Sequence, residues 1–433
     1  MKYFLRCVFC QKKYSGSEIR YRCDCGEILE VRISDLKKAR EINIKNLFDK
    51  RLGSLDFPCN SGVWRYKELV LPVDDKYIVT RPEGNTNLYS VGKSISSGHK
   101  RIGEYVHIDT LYLKHEGENP TGSFKDRGMT VGISKAKELG VRAVACASTG
   151  NTSSSLASYA AQANLKCFVF LPKGKITASK LSQSIAYGAI NIQSDGDFDT
   201  AMKAVEEICN EYGIYLLNSI NPYRIEGQKT IIFEILQQLN WQVPGWIVLP
   251  GGNLGNTAAV GKGLFELKEL GIIDTLPKIA VIQAKGANPF YQSFISGFKK
   301  RITVNAKTVA TAIRIGSPVS FLKAKKVIQE TNGVVEEVSD QEILDAKAVV
   351  DASGIGCEPA SATTVAGIKK LREKKIIKQS DVVVGILTGH ILKDPETTMK
   401  YHQGNLTGIT SRYKNKIIET NVKNAHNIIA SLV

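Results

Sequence analysis

The stretch Val141–Pro172, VRAVACASTGNTSSSLASYAAQANLKCFVFLP, decides the fold class. VRAVACAS reads as a buried strand, NTSSSLASYAAQA as a helix and LKCFVFLP as a second buried strand. Strands apolar on both faces and joined by one helix belong to a parallel sheet covered on both sides. Outward from this unit the alternation continues. A helix over about residues 177–187 precedes the strand AINIQS, and the helix DFDTAMKAVEEICNEYG, with Gly213 suited to its C-cap, precedes the strand IYLLN. IEGQKTIIFEILQQL follows as a helix, GWIVLP and LPKIAVIQA as strands, and GVVEEVS, a helix from Asp340 and DVVVGILTG repeat the theme. LYLKHE, at Leu111–Glu116, is a strand on the N-terminal side. The chain reads as α/β, with two open, mostly parallel lobes and a ligand site at the strand ends or between the lobes. No fixed-period repeat is present, which excludes a solenoid.

Composition narrows the function classes. With 433 residues, 43% hydrophobic and 23% charged, the chain is neither disordered, collagen-like nor a disulfide-stapled miniprotein. Its 58 basic against 42 acidic residues give +16, which alone fits nucleic acid, anionic substrates or a basic surface. The lysines are spread through helices, as in KNLFDKR and KKLREKK, and no recognition helix, aromatic-basic RNA motif or finger-type histidine pair accompanies them. A nucleic-acid partner is therefore not expected. No apolar run approaches a membrane span and no signal peptide is read at the start. Scattered cysteines fit a reducing compartment, so the expected location is cytoplasmic.

Four features could carry chemistry. Gly251-Gly252-Asn253-Leu254-Gly255-Asn256 follows a strand and opens a helix, so bare backbone N–H groups and the helix dipole make a phosphate cup; the plainer alternative is a turn with no ligand. Lys125, in ENPTGSFKDRG, lies in a first helical turn with Ser123 as the expected N-cap and Asp126 three positions on. A cation there opposes the helix dipole, which lowers the lysine's pKa and favours Schiff-base chemistry; otherwise it is a surface lysine near a cap. ASTGNTSSS, Ala147–Ser155, places a glycine and small hydroxyls at another strand end, though ordinary capping uses the same residues. Cys7, Cys10, Cys23 and Cys25 form C-x₂-C and C-x-C halves separated by twelve residues, between short strands read at YRCDC and EILEVRI. That spacing suits a structural tetrahedral zinc, the alternative being a knuckle that folds without metal. The six histidines share no ligand spacing.

ENPTGSFKDRG, ASTGNTSSSLA, NPYRIEGQKT, LPGGNLGN, IRIGSPVS and TGHILKD together resemble the pyridoxal-phosphate-dependent threonine synthases of fold type II, the tryptophan-synthase-β-like superfamily. The resemblance runs from about Asn60 to near the C-terminus. It implies a zinc-ribbon-like element at 1–33, a large domain built from 34–118 and 218–433, and a small α/β domain at 119–217. It implies that Lys125 holds pyridoxal 5'-phosphate as a Schiff base, with Phe124 packed beside it and Asn151 on the 3-hydroxyl. Gly251, Gly252, Asn253, Leu254, Gly255 and Asn256 would cradle the cofactor phosphate, and Thr388 would face the pyridine nitrogen. Ser148, Thr149, Asn218 and Arg224 would contact O-phospho-L-homoserine, the last two near its phosphate. His390 departs from the family pattern, where a smaller or apolar residue is expected. The implied reaction is elimination of phosphate from the γ-carbon, then hydration at the β-carbon to L-threonine, with Lys125 moving the protons. Threonine or serine dehydratase and a cysteate-forming β-replacement enzyme are the rival activities of the same fold. A homodimer is the family expectation.

Overall fold

The computed structural model describes residues 2–34, 36, 43–96, 99–172, 178–194 and 198–415, with isolated positions beyond. Three short antiparallel strands open the chain: β1 (Tyr3–Cys7), β2 (Lys13–Ser15) and β3 (Leu29–Ile33), in the order β2-β1-β3. YRCDC, read as a strand, is instead a turn: Gly26 N–H donates to the Cys23 carbonyl and Cys23 N–H to that of Glu27. In an extended strand residues 23 and 25 would share a face about 6.6 Å apart, wider than the 4.8 Å within which the four cysteine sulfurs gather, and the turn shortens that span.

Strands β4 (Leu88–Ser90) and β5 (Thr110–His115) then enter a large sheet, pairing antiparallel with each other. The chain leaves it to build a four-stranded parallel sheet from β6 (Ala143–Ala147), β7 (Lys166–Pro172), β8 (Ile190–Ser194) and β9 (Tyr215–Leu216), in the order β8-β7-β6-β9. It returns through β10 (Trp246–Pro250), β11 (Lys278–Ala284), β12 (Val334–Val338) and β13 (Val382–Leu387). The large sheet has the order β12-β11-β10-β13-β5-β4 and is parallel except at β4. The parallel α/β reading therefore holds for both sheets. The strands are apolar because both faces are covered, as at β10, where all five residues are buried.

The helices expected over 177–187 and 197–213 are Ala178–Ala186 and Phe198–Glu211; positions 177 and 197 lie outside the described residues. The single helix expected at IEGQKTIIFEILQQL divides into Tyr223–Gln228 and Thr230–Gln238 about Lys229. Its first part lies against the helix Lys125–Glu138, which positions the site. A Cβ on Gly227 would come within 1.6 Å of the Arg127 carbonyl, and one on Gly128 within 3.0 Å of the Arg224 carbonyl. Absent side chains at these positions let the two helices cross almost backbone to backbone.

Candidate active site

β10, β13 and β5 are adjacent and parallel, so the loops after them emerge side by side. They carry Gly251–Asn256, Thr388 and the segment leading to Lys125. Backbone pairing ties the last two together: Phe124 N–H donates to the Thr388 carbonyl at 3.0 Å, His390 N–H to that of Gly122 at 2.9 Å, and Ser123 bridges Gly389. This pairing overturns the expected cap. Phe124 occupies the N-cap of the helix Lys125–Glu138 without a side-chain bond, and the Ser123 hydroxyl has no partner. Asp126 turns backward, accepting from the Thr121 N–H, the Thr121 hydroxyl and the Ser155 hydroxyl at 2.7, 2.6 and 2.6 Å. Burial pushes its carboxyl up to about 6.

Lys125 is the first residue of that helix, its Nζ 4.1 Å from the centre of the Phe124 ring. Desolvation, reinforced by the charge of Arg224 and opposed by Glu358, brings its pKa from 10.5 down to about 7. The side chain remains partly open. An accessible amine that is substantially neutral near pH 7 is what Schiff-base formation requires.

Arg224 is 2% exposed; its Nη1 donates to the Leu217 carbonyl at 3.1 Å, and its Nε has no partner among the described residues. Among the described residues no carboxylate forms an ion pair with it. Burial lowers its pKa to about 10, with the Cys146 thiol a small opposing influence. An enclosed guanidinium lacking a counter-charge is a site that wants an anion.

The glycine loop is anchored from outside. Gly251 N–H donates to the Ile282 carbonyl, and Gln283 donates to the Gly251 carbonyl. Asn253 accepts from Val319 and Ser320 N–H groups, which gives IRIGSPVS its place as a buttress. A Cβ on Gly251 would meet Val281 at 2.6 Å, and one on Gly252 would meet the Ile313 Cα at 3.0 Å. Leu254 adopts φ 62° at the N-cap of the helix Gly255–Glu269. In its first turn both polar atoms of Asn256 and the Thr257 hydroxyl are buried without partners among the described residues. Gln228, whose Oε1 is also unpaired, spans the space between this loop and the Lys125 helix: its amide lies by Gly255 on one side and Gly128 on the other. Unpaired buried polar atoms at a helix N-terminus beside a bare loop fit a phosphate-bearing ligand.

Asn151 begins the helix Asn151–Gln162 and donates through Nδ2 to both Glu358 oxygens at 3.1 Å. Thr388 is buried, its hydroxyl 3.1 Å from that of Ser361. Ser148 accepts from Gly150 N–H, and Ser148 and Thr149 are partly open. The Asn218 amide grips Ala147, its Oδ1 accepting from the backbone N–H and its Nδ2 donating to the carbonyl, both at 2.9 Å. Asn218 thereby shapes the turn that carries Ser148 and Thr149. His390 stacks on His115 at 6.2 Å and accepts from Leu392 N–H, so it serves local structure. The four cysteine sulfurs lie within 4.8 Å of one another.

Sequence reasoning missed Glu358, a buried carboxyl at the N-cap of the helix Pro359–Glu373, raised by desolvation and near Lys125 and Lys393. Its signal is the pair Glu358-Pro359 ahead of a run of small residues, with proline at the first helical position. It missed Gln228, for which no local pattern exists.

Fold and site define an enzyme that uses pyridoxal phosphate: residues 80–389 match the family described as "Pyridoxal-phosphate dependent enzyme". The chain is 48% identical to threonine synthase of Methanocaldococcus jannaschii over 91% of its length and 94% of that protein's. It is 41% identical to chloroplastic threonine synthase 2 of Arabidopsis thaliana, over 95% and 80% respectively. The structure of maize serine racemase is similar in fold, with a TM-score of 0.62 at 23% identity, covering 79% of this chain and 97% of that one. The chain belongs to the threonine synthase family of pyridoxal-phosphate-dependent enzymes.

Proposed function

We propose that the cleft converts O-phospho-L-homoserine and water to L-threonine and phosphate, with Lys125 moving protons and Arg224 anchoring the substrate's phosphate. The observation that carries this reading is the buried, carboxylate-free Arg224 in electrostatic reach of Lys125. It supplies an anion site beyond the one the Gly251–Asn256 loop suits, and a dehydratase substrate has no phosphate to fill it.

Pyridoxal phosphate, when bound, supplies an electron sink conjugated with the substrate's α-carbon. Gly251, Gly252, Asn253, Leu254, Gly255 and Asn256 would hold its phosphate, Asn151 its 3-hydroxyl and Thr388 its ring nitrogen, with Phe124 beside the lysine. A neutral hydroxyl at Thr388 leaves that nitrogen unprotonated and moderates electron withdrawal. Lys125 would hold the cofactor through its amine and, when free of it, would take the substrate's α-proton. As a second proton leaves the β-carbon and the γ C–O bond breaks, Arg224 carries the charge growing on the departing phosphate. Lys125 is placed to return a proton at the γ-carbon, after which water would add with its hydroxyl at the β-carbon and its proton at the α-carbon, completing L-threonine. Ser148 and Thr149, on the turn gripped by Asn218, contact the substrate.

Cys7, Cys10, Cys23 and Cys25 suit a structural zinc. Their paired sulfurs, 3.5 Å for Cys7–Cys25 and 3.4 Å for Cys10–Cys23, approach the spacing of about 3.8 Å that a tetrahedron with ~2.3 Å Zn–S bonds requires. Metal analysis of purified protein tests this. The β6–β9 sheet and its helices support a small domain at 119–217, within a large domain of 34–118 and 218–433. A cytoplasmic homodimer completes the reading; no described helix is long and apolar enough to cross a membrane.

The deciding experiment adds O-phospho-L-homoserine to the yellow holoenzyme and follows phosphate and threonine together. Equal release of both, and borohydride fixation of the cofactor on Lys125, is the expected result. Conversion of threonine to 2-oxobutanoate without turnover of the phosphorylated substrate would assign a dehydratase instead. Turnover of O-phosphoserine in its place would assign β-replacement.

A further inference from the structure

The segment Tyr215–Arg224 carries Asn218 and Arg224, and the N-terminal cysteine element grips it at both ends. At one end the Tyr21 hydroxyl accepts from Leu216 N–H at 2.7 Å, and its ring lies 5.9 Å from that of Tyr215. At the other the Tyr223 hydroxyl, buried, donates to the Gly16 carbonyl at 2.7 Å, and its ring meets Tyr3 edge-on at 6.1 Å. Between them Ile28, with Val8 against it, packs in one apolar cluster with Leu216, Ile220, Ala145 and Ala147. Gly16 and Tyr21 both lie in the twelve-residue loop between Cys10 and Cys23. Those two sulfurs, both free thiols, sit 3.4 Å apart, so the two ends of the loop lie together.

The element is docked on the body by other contacts as well. Lys135 and Glu138, far along the Lys125 helix, bond the Tyr3 hydroxyl at 2.7 and 2.9 Å, and Lys262 and Lys323 donate to the carbonyls of Val31 and Leu29 in β3. These fix where the loop sits, whereas Tyr21 and Gly16 reach past the docking surface to the segment behind the anion site. Among the described residues the Arg224 side chain has one hydrogen bond, to the Leu217 carbonyl. Its place therefore depends on how its neighbours in the chain are held.

We propose that the loop between the two cysteine pairs is a positioning element for the substrate's phosphate: Tyr21 and the Gly16 carbonyl hold the segment Tyr215–Arg224 so that Arg224 and Asn218 keep their places. Tyr21 and Tyr223 are positioning residues, and the meeting of the loop's two ends at Cys10 and Cys23 is what makes the grip stiff. The inference rests on the reading of Arg224 as the phosphate anchor.

The test uses holoenzyme carrying Tyr223→Phe, Tyr21→Phe or Cys10→Ser, the last at an exposed sulfur. Two quantities are measured: amide hydrogen exchange across 215–224, and competitive inhibition by inorganic phosphate alongside KM and kcat. Each tyrosine variant is expected to speed exchange in that segment. Each should also weaken phosphate inhibition and raise KM about fivefold, the loss of one hydrogen bond, with kcat and the visible spectrum little changed. Cys10→Ser should move both quantities in the same direction. Unchanged exchange in all three variants overturns the clamp. Faster exchange with unchanged phosphate inhibition, in an enzyme whose Arg224→Gln variant has lost that inhibition, leaves the contacts merely structural and overturns the positioning role. If Arg224→Gln itself keeps wild-type phosphate inhibition, the anchor reading fails, and exchange alone decides whether the clamp exists.

Discussion

Lys125 must be both buried enough to lose its proton and open enough to be reached. The enclosing residues achieve the first, bringing its pKa from 10.5 to about 7, while its partial accessibility preserves the second. The sign of the linkage follows. Between about pH 7 and 10.5 the unfolded chain binds a proton here that the folded apoprotein does not. Apoprotein stability from this group therefore rises with pH across that window. Lys125→Met should remove that slope and leave the apoprotein more stable at pH 7; urea unfolding of both proteins across the window checks it. Glu358 acts on the same amine from the other side. Its charge favours the protonated lysine, so Glu358→Gln should lower the lysine's pKa while keeping an acceptor for Asn151. The rate at which apoprotein takes up pyridoxal phosphate should then reach half its maximum at a lower pH than in the wild type. An unchanged midpoint would remove Glu358 from the electrostatics of the lysine.

At the scale of elements, the crossing of the helices Lys125–Glu138 and Tyr223–Gln228 brings Arg224 within electrostatic reach of Lys125. Gly227→Ala would drive a methyl group to 1.6 Å from the Arg127 carbonyl, a backbone atom that cannot rotate away. A loss of at least about 3 kcal/mol is expected in denaturant unfolding, at the severe end of overpacking. Gly213→Ala, at a C-terminal turn with φ 63° and open space around it, should cost only about 1 kcal/mol, from backbone conformation alone. These two glycines look alike in the chain. The C-cap of Gly213 was legible because its signal is local, a glycine after a helical period. The crossing at Gly227 was not, because the atom it must avoid belongs to a residue 100 positions away. The same reason explains the Ser123 cap: local pattern favoured it, but pairing of Gly122–Phe124 with Thr388–His390 set the backbone first. The strand–loop–helix placement of the glycine loop and of Lys125 was readable from composition and position alone, since strand, loop and helix start adjoin in sequence.

Over the whole molecule, one buried charge group ties the site to its foundation. Glu234 lies at the centre, accepting from Lys114 at 2.6 Å, from Arg127 at 3.1 Å and from the backbone N–H groups of Asn85 and Thr86. Arg127 also pairs with Glu116 at 2.6 Å. The cluster links β5, the helix Thr230–Gln238 and the helix that Lys125 begins. The surrounding cations hold the Glu234 carboxyl well below the usual range, so its contribution is present above the unfolded pKa and is lost as pH falls below it. Glu234→Gln leaves buried cations short of a counter-charge and should cost about 3–5 kcal/mol at pH 7, with a shallower loss of stability on acidification. Parallel thermal and denaturant unfolding at pH 7 and 4 checks both parts.

Neighbouring residues alone dictate the parallel α/β class and the strand ends at which Lys125 and the glycine loop stand before a helix. Each is a property of neighbouring residues: apolar runs long enough to be buried on both faces, and small residues where a strand gives way to a helix. Tertiary packing settles that Arg224 meets no carboxylate among the described residues, that Glu358 faces Asn151 and that the cysteine loop bonds to Leu216 and Tyr223. Those are relations between residues tens to hundreds of positions apart, and whether a buried charge finds a partner depends on what the fold packs around it.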